Sequence, residues 1–127
     1  MAEALLMRAL KDVVVTSAGT DALIGQPADP IAQDLMAARG ISIEAHRARQ
    51  INSLMCAQAD LVLVMDVPLR RRVEAFFPSA TGKVFRLGEF AKHEIPDPYR
   101  QSREAFGYSL SLIEECIDSW AERIRRI

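Results

Sequence analysis

The sequence has 127 residues, half of them hydrophobic and 26% charged, and 16 basic against 17 acidic residues give a net charge of −1. These values predict one domain over residues 1–127 and exclude disordered and low-complexity chains. The balanced charge disfavours nucleic acid as a partner, and no apolar run reaches the roughly 20 residues of a membrane span. Two cysteines and the absence of a signal peptide indicate a cytoplasmic protein.

Predicted helices alternate with short predicted strands along the chain. Apolar residues at spacings of three and four predict the helices, whereas β-branched or continuous apolar runs of about five residues predict the strands. In chain order these are a helix over 1–11, a strand over 12–16, a helix from Pro30 to Gly40, a short helix from Asn52 or Ser53 to Gln58, a strand over 61–65, a helix after Asp66, a strand over 83–87 and a helix from Arg103 to the end. Residues 88–100 are predicted to form a loop.

The final helix carries a continuous apolar stripe, which predicts that it packs along the core. The stripe consists of Phe106, Leu110, Ile113, Ile117, Trp120, Ile124 and Ile127. The helix after Asp66 is predicted to turn Leu69, Val73 and Phe76 inward. Cys56 and Cys116 lie within helical apolar patterns, so we expect them to be packing residues.

Alternating helices and buried strands predict an α/β fold with a parallel sheet and helices on both faces. Ligands of such sheets bind beyond the carboxyl ends of the strands. Ser17, Asp66 and the loop around Asp97 are predicted to gather at that end.

Asp97 is the best catalytic candidate, because Pro96 and Pro98 fix the backbone around it. A carboxylic acid there can protonate a leaving group and later activate water, although an aspartate before proline is also a common turn residue. Ser17 can support an anion-binding loop or simply end a strand. His46 can be a base, a ligand or a buried hydrogen-bonding residue. The two histidines lack the partners and spacing of a metal motif, so no metal is expected.

Seven segments in a specific order resemble the bacterial low-molecular-weight protein-tyrosine phosphatases, particularly those that accompany exopolysaccharide tyrosine kinases. The segments are Met1-Ala2-Glu3-Ala4-Leu5-Leu6, Ser17-Ala18-Gly19-Thr20, Pro27-Ala28-Asp29-Pro30, Ala45-His46-Arg47-Ala48-Arg49-Gln50, Ala59-Asp60-Leu61-Val62-Leu63-Val64-Met65, Gly82-Lys83-Val84-Phe85 and Glu94-Ile95-Pro96-Asp97-Pro98-Tyr99-Arg100. The resemblance implies a three-layer α/β/α fold with a small parallel sheet.

The resemblance also implies roles for individual residues. It implies that Asp97 is the general acid and that Ser17 and His46 hold the phosphate-binding loop in shape. It implies that Leu23 and Tyr99 line the aromatic-substrate cleft, with Asp66 at a polar position near the site. The implied substrate is a phosphotyrosine protein, and the implied partner is a bacterial tyrosine kinase of polysaccharide export. No cofactor is implied, because backbone amides and an arginine bind the phosphate in this family.

The sequence departs from the family at the nucleophile. In the relatives a Cys-(x)5-Arg-Ser loop and the first, central strand lie immediately before Met-Ala-Glu-Ala, the residues with which this sequence begins. Cys56 and Cys116 do not replace the loop, because the sixth residue after each is Val62 and Glu122. The expectation is an N-terminally truncated domain whose start has been assigned too late, with a natural truncation as the alternative.

Three functions remain open at this point. The first is a phosphotyrosine phosphatase whose site is completed by upstream residues. The second is a catalytically inactive, phosphatase-like module that binds a kinase or forms a homodimer through exposed sheet edges. The third, arsenate reduction, requires additional cysteines placed to relay a disulfide and is the least favoured.

Overall fold

A short parallel β-sheet lies at the centre of the fold. In the computed structural model, which describes residues 1–91 and 93–126, strand β1 (Val62–Val64) pairs in parallel with strand β2 (Val84–Arg86). Both strands fall within the two predicted apolar runs, over 61–65 and 83–87.

Helices account for most of the remaining regular structure. The described residues form α1 (Ala2–Ala9), α2 (Pro30–Ala37), α3 (Ser53–Gln58), α4 (Val67–Phe76), α5 (Arg103–Arg125) and a 3-10 turn (Pro78–Ala80). Four of the helices have an N-cap residue whose side chain accepts a hydrogen bond from a backbone N–H of the first turn. These residues are Asp29, Asn52, Asp66 and Ser102. The helices therefore begin where the sequence predicts.

The two faces of the sheet pack against different sets of helices. Leu61, Leu63 and Phe85 contact the larger core, which contains buried residues of α1, α2 and α5. Val64 and Val84 belong to a second core with Cys56 of α3 and Val73 of α4. Because successive side chains of a strand point to opposite faces, this alternation confirms the predicted α/β fold with helices on both sides of the sheet.

The long helix α5 buries its apolar stripe as predicted. Phe106, Leu110, Ile113, Ile117 and Trp120 are all buried, and Ile124 is half-buried. Burial of each such side chain stabilises the fold by about 1.5–3 kcal/mol. The last predicted member, Ile127, lies outside the described residues.

Two predictions about local structure are wrong. Residues 12–16 do not form a strand, because no neighbouring strand offers hydrogen-bond partners to them within the described chain, and Val14 is 92% exposed. Phe76, predicted to face inward, is 71% exposed. It occupies the last turn of α4, and the next residue, Phe77, packs against the second core instead.

Candidate active site

The loop that contains Asp97 crosses the carboxyl end of β1. The backbone N–H of Ile95 donates to the Met65 carbonyl at 3.0 Å, and Ile95 is buried. One residue earlier, the Glu94 carboxylate accepts a hydrogen bond from the Val67 N–H at 3.2 Å. These contacts place Asp97 at the end of the sheet where ligands of parallel sheets bind.

The Asp97 carboxylate is exposed and only partly engaged in local contacts. Its Oδ1 accepts a hydrogen bond from the Tyr99 N–H at 3.0 Å, which closes a turn around Pro98. The flanking residues Pro96 and Pro98 have no N–H group and a fixed φ, so the turn has few alternative conformations. The other carboxylate oxygen accepts no hydrogen bond from residues 1–91 and 93–126, so among them nothing competes with a bound ligand for it.

An aromatic side chain lies directly after this turn. Tyr99 is 50% exposed, and the Arg100 guanidinium lies 5.1 Å from the centroid of its ring. Arg100 has a φ of 59°, the left-handed conformation that non-glycine residues rarely adopt. Tyr99 thus has a half-exposed side chain only two residues after Asp97.

Asp66 lies close to the same loop but has a structural contact of its own. It follows β1 directly, and its Oδ1 accepts a hydrogen bond from the Leu69 N–H at 2.8 Å. This contact caps the amino end of α4. Asp66 is thus at the predicted end of the sheet, where it organises the start of a helix.

Ser17 lies in a second group of residues. Beyond it, Gly19 forms a parallel bridge with Gln50, in which the Gly19 N–H donates to the Arg49 carbonyl at 2.9 Å. The Arg49 guanidinium reaches back and donates to the Ser17 carbonyl at 3.2 Å. The Ser17 hydroxyl has no hydrogen-bond partner among residues 1–91 and 93–126, so it remains available to a further ligand or segment.

His46 connects this second group to α1. Its Nδ1 lies 3.5 Å from the Glu3 carboxylate, and its carbonyl accepts a hydrogen bond from the Arg47 side chain at 2.7 Å. Leu23 lies in the neighbouring loop, which hydrogen-bonds to residues 47–50, and it is 58% exposed. The structure therefore brings Ser17, Leu23 and His46 into one connected region.

The two groups are not joined to each other by direct contacts between the candidate residues. Among the described residues no hydrogen bond or ion pair joins Ser17, Leu23 or His46 to Asp66, Asp97 or Tyr99. A link through other residues exists, because Arg72 of α4 forms a 3.0 Å ion pair with Asp21 beside the Leu23 loop.

One edge of β1 is open. Val62 and Val64 direct their backbone groups towards β2, as shown by the bonds from the Val62 N–H to the Lys83 carbonyl and from the Leu87 N–H to the Val64 carbonyl. Because backbone groups alternate along a strand, those of Leu63 point to the opposite edge. Residues 1–91 and 93–126 place no strand there.

Neither cysteine has the environment of a nucleophile. Both are buried, and Cys56 packs in the second core rather than beside Asp97. Burial raises the pKa of the Cys56 thiol despite the opposing charge of Lys83. Burial also raises the pKa of the Cys116 thiol, and the Glu115 carboxylate adds to this effect. Both cysteines are therefore mostly in the protonated thiol form, and the thiolate is the form that attacks an electrophile.

The described residues hold no cluster of three or more His, Cys, Asp or Glu side chains that could bind a metal ion. No helix in the described ranges is both long enough and apolar enough to cross a membrane. A cavity of about 260 Å³ lies away from Asp97, lined by Thr20, Gln50, Ile51, Arg72, Phe76 and Phe77.

Sequence reasoning missed three residues that contact the candidate site. Glu3 faces His46, Arg49 holds the Ser17 carbonyl, and Ser109 donates to the carbonyl of Pro96 at 2.8 Å. Only Ser109 left a detectable signal: three residues after Phe106 and four before Ile113, it is a polar residue within the apolar stripe of α5. The other two contacts join segments far apart in sequence.

The fold agrees with comparisons to known proteins. A family model for low molecular weight phosphotyrosine protein phosphatase matches residues 1–127. The chain therefore belongs to the low-molecular-weight protein-tyrosine phosphatase family.

Individual relatives support the same assignment. The chain is 48% identical over 127 residues to a probable low molecular weight protein-tyrosine-phosphatase, EpsP, of Ralstonia solanacearum, and covers 88% of that protein. It is 40% identical over 124 residues to the phosphatase Wzb of Escherichia coli K12, with 97% of this chain and 84% of Wzb aligned. A structure of Vibrio vulnificus Wzb in complex with benzylphosphonate superposes with a TM-score of 0.92 at 37% identity, over 96% of this chain and 87% of Wzb.

Proposed function

We propose that the protein hydrolyses phosphotyrosine in proteins, with Asp97 as the general acid. The observation that carries this proposal is the position of Asp97, in a proline-fixed turn at the carboxyl end of β1, with one carboxylate oxygen that accepts no hydrogen bond from the described residues. Membership of the phosphatase family and the relatives' names support the substrate class.

The proposed reaction has two steps. A cysteine thiolate attacks phosphorus, so that an S–P bond forms while the P–O bond to the tyrosine breaks, and the Asp97 carboxyl donates its proton to the departing oxygen. Without that proton the leaving group is a phenolate, whose conjugate acid has a pKa of about 10. Water then attacks phosphorus and transfers a proton to the Asp97 carboxylate, the S–P bond breaks, and phosphate leaves.

The nucleophile in this proposal comes from a segment outside the 127 residues. Such a segment would add a strand at the open edge of β1, beside Leu63, and end in a Cys-(x)5-Arg-Ser loop. The open edge supports this placement, as does the exposure of Val14 in a run of β-branched residues.

The remaining candidate residues have supporting roles in the proposal. Ser17 and His46 hydrogen-bond to the phosphate-binding loop, for which the free Ser17 hydroxyl is suited. Leu23 and Tyr99, both at least half exposed, form opposite walls of the cleft for the substrate ring. Asp66 keeps the start of α4 in place next to the Asp97 loop.

The proposed substrate is a phosphotyrosine protein in the cytoplasm, with a tyrosine kinase of polysaccharide export as a partner. The relatives EpsP and Wzb are named as protein-tyrosine phosphatases, which supports the phosphotyrosine substrate. No cofactor takes part, because backbone amides and an arginine bind the phosphate.

Replacing the acid tests the proposal. In the complete protein, purified from its source cells or expressed with the segment that precedes Met1, Asp97→Asn should lower kcat/KM for phenyl phosphate by about 10²–10⁴-fold, the usual contribution of a general acid. Asp118→Asn, on the exposed side of α5, is the matched control. Equal activity of the Asp97 variant and the wild-type protein would exclude Asp97 as the acid.

A catalytically inactive module is the second candidate. It is favoured by the edge of β1 that no strand of the described residues covers, because this edge can pair with the same edge of a second copy. This candidate predicts a homodimer by light scattering and no turnover of aryl phosphates. Arsenate reduction is disfavoured, because Cys56 and Cys116 are buried in different cores.

A further inference from the structure

We infer that Ser109 is a positioning residue for the general acid: its hydroxyl holds the carbonyl of Pro96 and thereby fixes the turn that presents Asp97. The inference rests on the proposed function, because it assigns Ser109 a role only through Asp97. Ser109 lies on α5, 13 residues along the chain from Pro96, and its Oγ donates to the Pro96 oxygen at 2.8 Å.

Burial separates Ser109 from an ordinary surface serine. It is 1% exposed and lies within the apolar stripe of α5, between Phe106 and Ile113. A hydroxyl in such a position loses its hydrogen bonds to water on folding. This loss destabilises the folded state unless the hydroxyl forms a hydrogen bond within the protein. A helical serine often bonds to the carbonyl four residues earlier in its own helix, whereas Ser109 donates across to the loop.

The Asp97 loop has few other attachments to the body of the protein. Upstream, the Glu94 carboxylate and the Ile95 N–H fix its start to the end of β1 and the beginning of α4. From Asp97 to Gln101 the described hydrogen bonds are internal to the loop. The bond from Ser109 is therefore the last anchor before the acid.

The two prolines make this anchor more important. Neither Pro96 nor Pro98 has an N–H group, so the loop offers few backbone donors with which to bond to its surroundings. Its Pro96 carbonyl acts as the acceptor instead, and Ser109 supplies the donor. Without the hydroxyl, the backbone around Asp97 can shift by up to about 1 Å. A displacement of this size can lower the catalytic rate by about 10²-fold.

The test compares aryl phosphates whose leaving groups differ in basicity. Phenyl phosphate needs a proton from the acid, whereas p-nitrophenyl phosphate needs it much less, because p-nitrophenolate is a far weaker base. In the complete protein, we expect Ser109→Ala to lower kcat/KM for phenyl phosphate about tenfold and for p-nitrophenyl phosphate about twofold or less. Ser109→Thr, which keeps the hydroxyl, should recover most of the activity with phenyl phosphate that Ser109→Ala loses.

Two further variants separate this role from a structural one. Ser111→Ala removes an exposed hydroxyl from the same helix and should leave both substrates unaffected. In an Asp97→Asn background, Ser109→Ala should cause no additional loss with phenyl phosphate, because there is no acid left to position.

The outcomes distinguish this inference from the proposed function. Equal losses on both substrates, or an undiminished loss in the Asp97→Asn background, would overturn the positioning role while leaving the phosphatase proposal intact. A complete protein without aryl phosphatase activity, or one that Asp97→Asn does not affect, would overturn both.

Discussion

The Glu3 carboxylate of α1 lies 3.5 Å from Nδ1 of His46. This contact connects the first helix of the chain to the segment that leads to Gln50, the bridge partner of Gly19. Both side chains are partly shielded from water, with 26% and 34% of their surfaces exposed. Glu3 thus fixes the orientation of a histidine whose proposed function is to support the phosphate-binding loop.

Removing the Glu3 carboxylate should weaken phosphate binding without unfolding the protein. We expect Glu3→Gln in the complete protein to raise the inhibition constant for vanadate, a phosphate analogue, by about threefold to tenfold, the size of effect expected when a partly exposed polar contact is lost. His46→Ala should have a larger effect in the same direction. Glu44→Gln changes an exposed carboxylate near His46 and is the control. Unchanged vanadate inhibition in both Glu3 and His46 variants would show that this pair does not support the loop.

Lys83 should contribute measurably to stability. Its ammonium group donates to the carbonyls of Cys56 at 2.9 Å and Ala59 at 2.8 Å, and so binds the end of α3. We expect Lys83→Met to lower the free energy of unfolding by about 1–3 kcal/mol, because two carbonyls lose a charged donor. Urea denaturation measures this change, and Lys11→Met, at an exposed lysine, should change stability by less than about 0.5 kcal/mol. Equal stabilities of the two variants would contradict the proposed contribution.

The cysteines should make the protein less stable at alkaline pH. Burial raises the pKa of both thiols above the ordinary value of 9.0, so the folded state retains protons that the unfolded state releases. Their contribution to stability is complete below about pH 9 and is lost as pH rises through the folded-state pKa. Compared with the wild-type protein, a Cys56→Ala, Cys116→Ala variant should lose less stability between about pH 8 and about pH 10.

The same double variant tests whether either thiol is the nucleophile. In the complete protein it should retain phosphatase activity, because both thiols are buried and neither contacts Asp97. Loss of turnover in a folded double variant would assign the nucleophile to one of these residues.

The sequence predicted the helix positions well because their signals are local. The caps at Asp29 and Asn52 and the apolar stripe of α5 depend on residues within a few turns of each other. The strand over 12–16 was a wrong prediction for the opposite reason. Its β-branched residues favour extended backbone, but a strand also needs a neighbour, and the described chain supplies none there.

The candidate site was predictable in part. Proline on both sides of Asp97 marks a rigid turn, and alternating elements place that turn at the carboxyl end of the sheet. The contacts of Glu3 with His46 and of Ser109 with Pro96 were not predictable, because they depend on how α1 and α5 pack against distant loops. Asp66 belongs with the predictable part: it directly follows a predicted strand, and its helix-capping bond depends on local sequence.

The most direct test of the proposed function is the intact mass of the protein purified from its source cells, combined with peptide mapping and an aryl phosphatase assay. We predict a mass above 14.1 kDa, a Cys-(x)5-Arg-Ser peptide that precedes Met1, and turnover that Asp97→Asn reduces. A mass of 14.1 kDa without turnover would contradict the proposed function and favour the inactive, self-associating module.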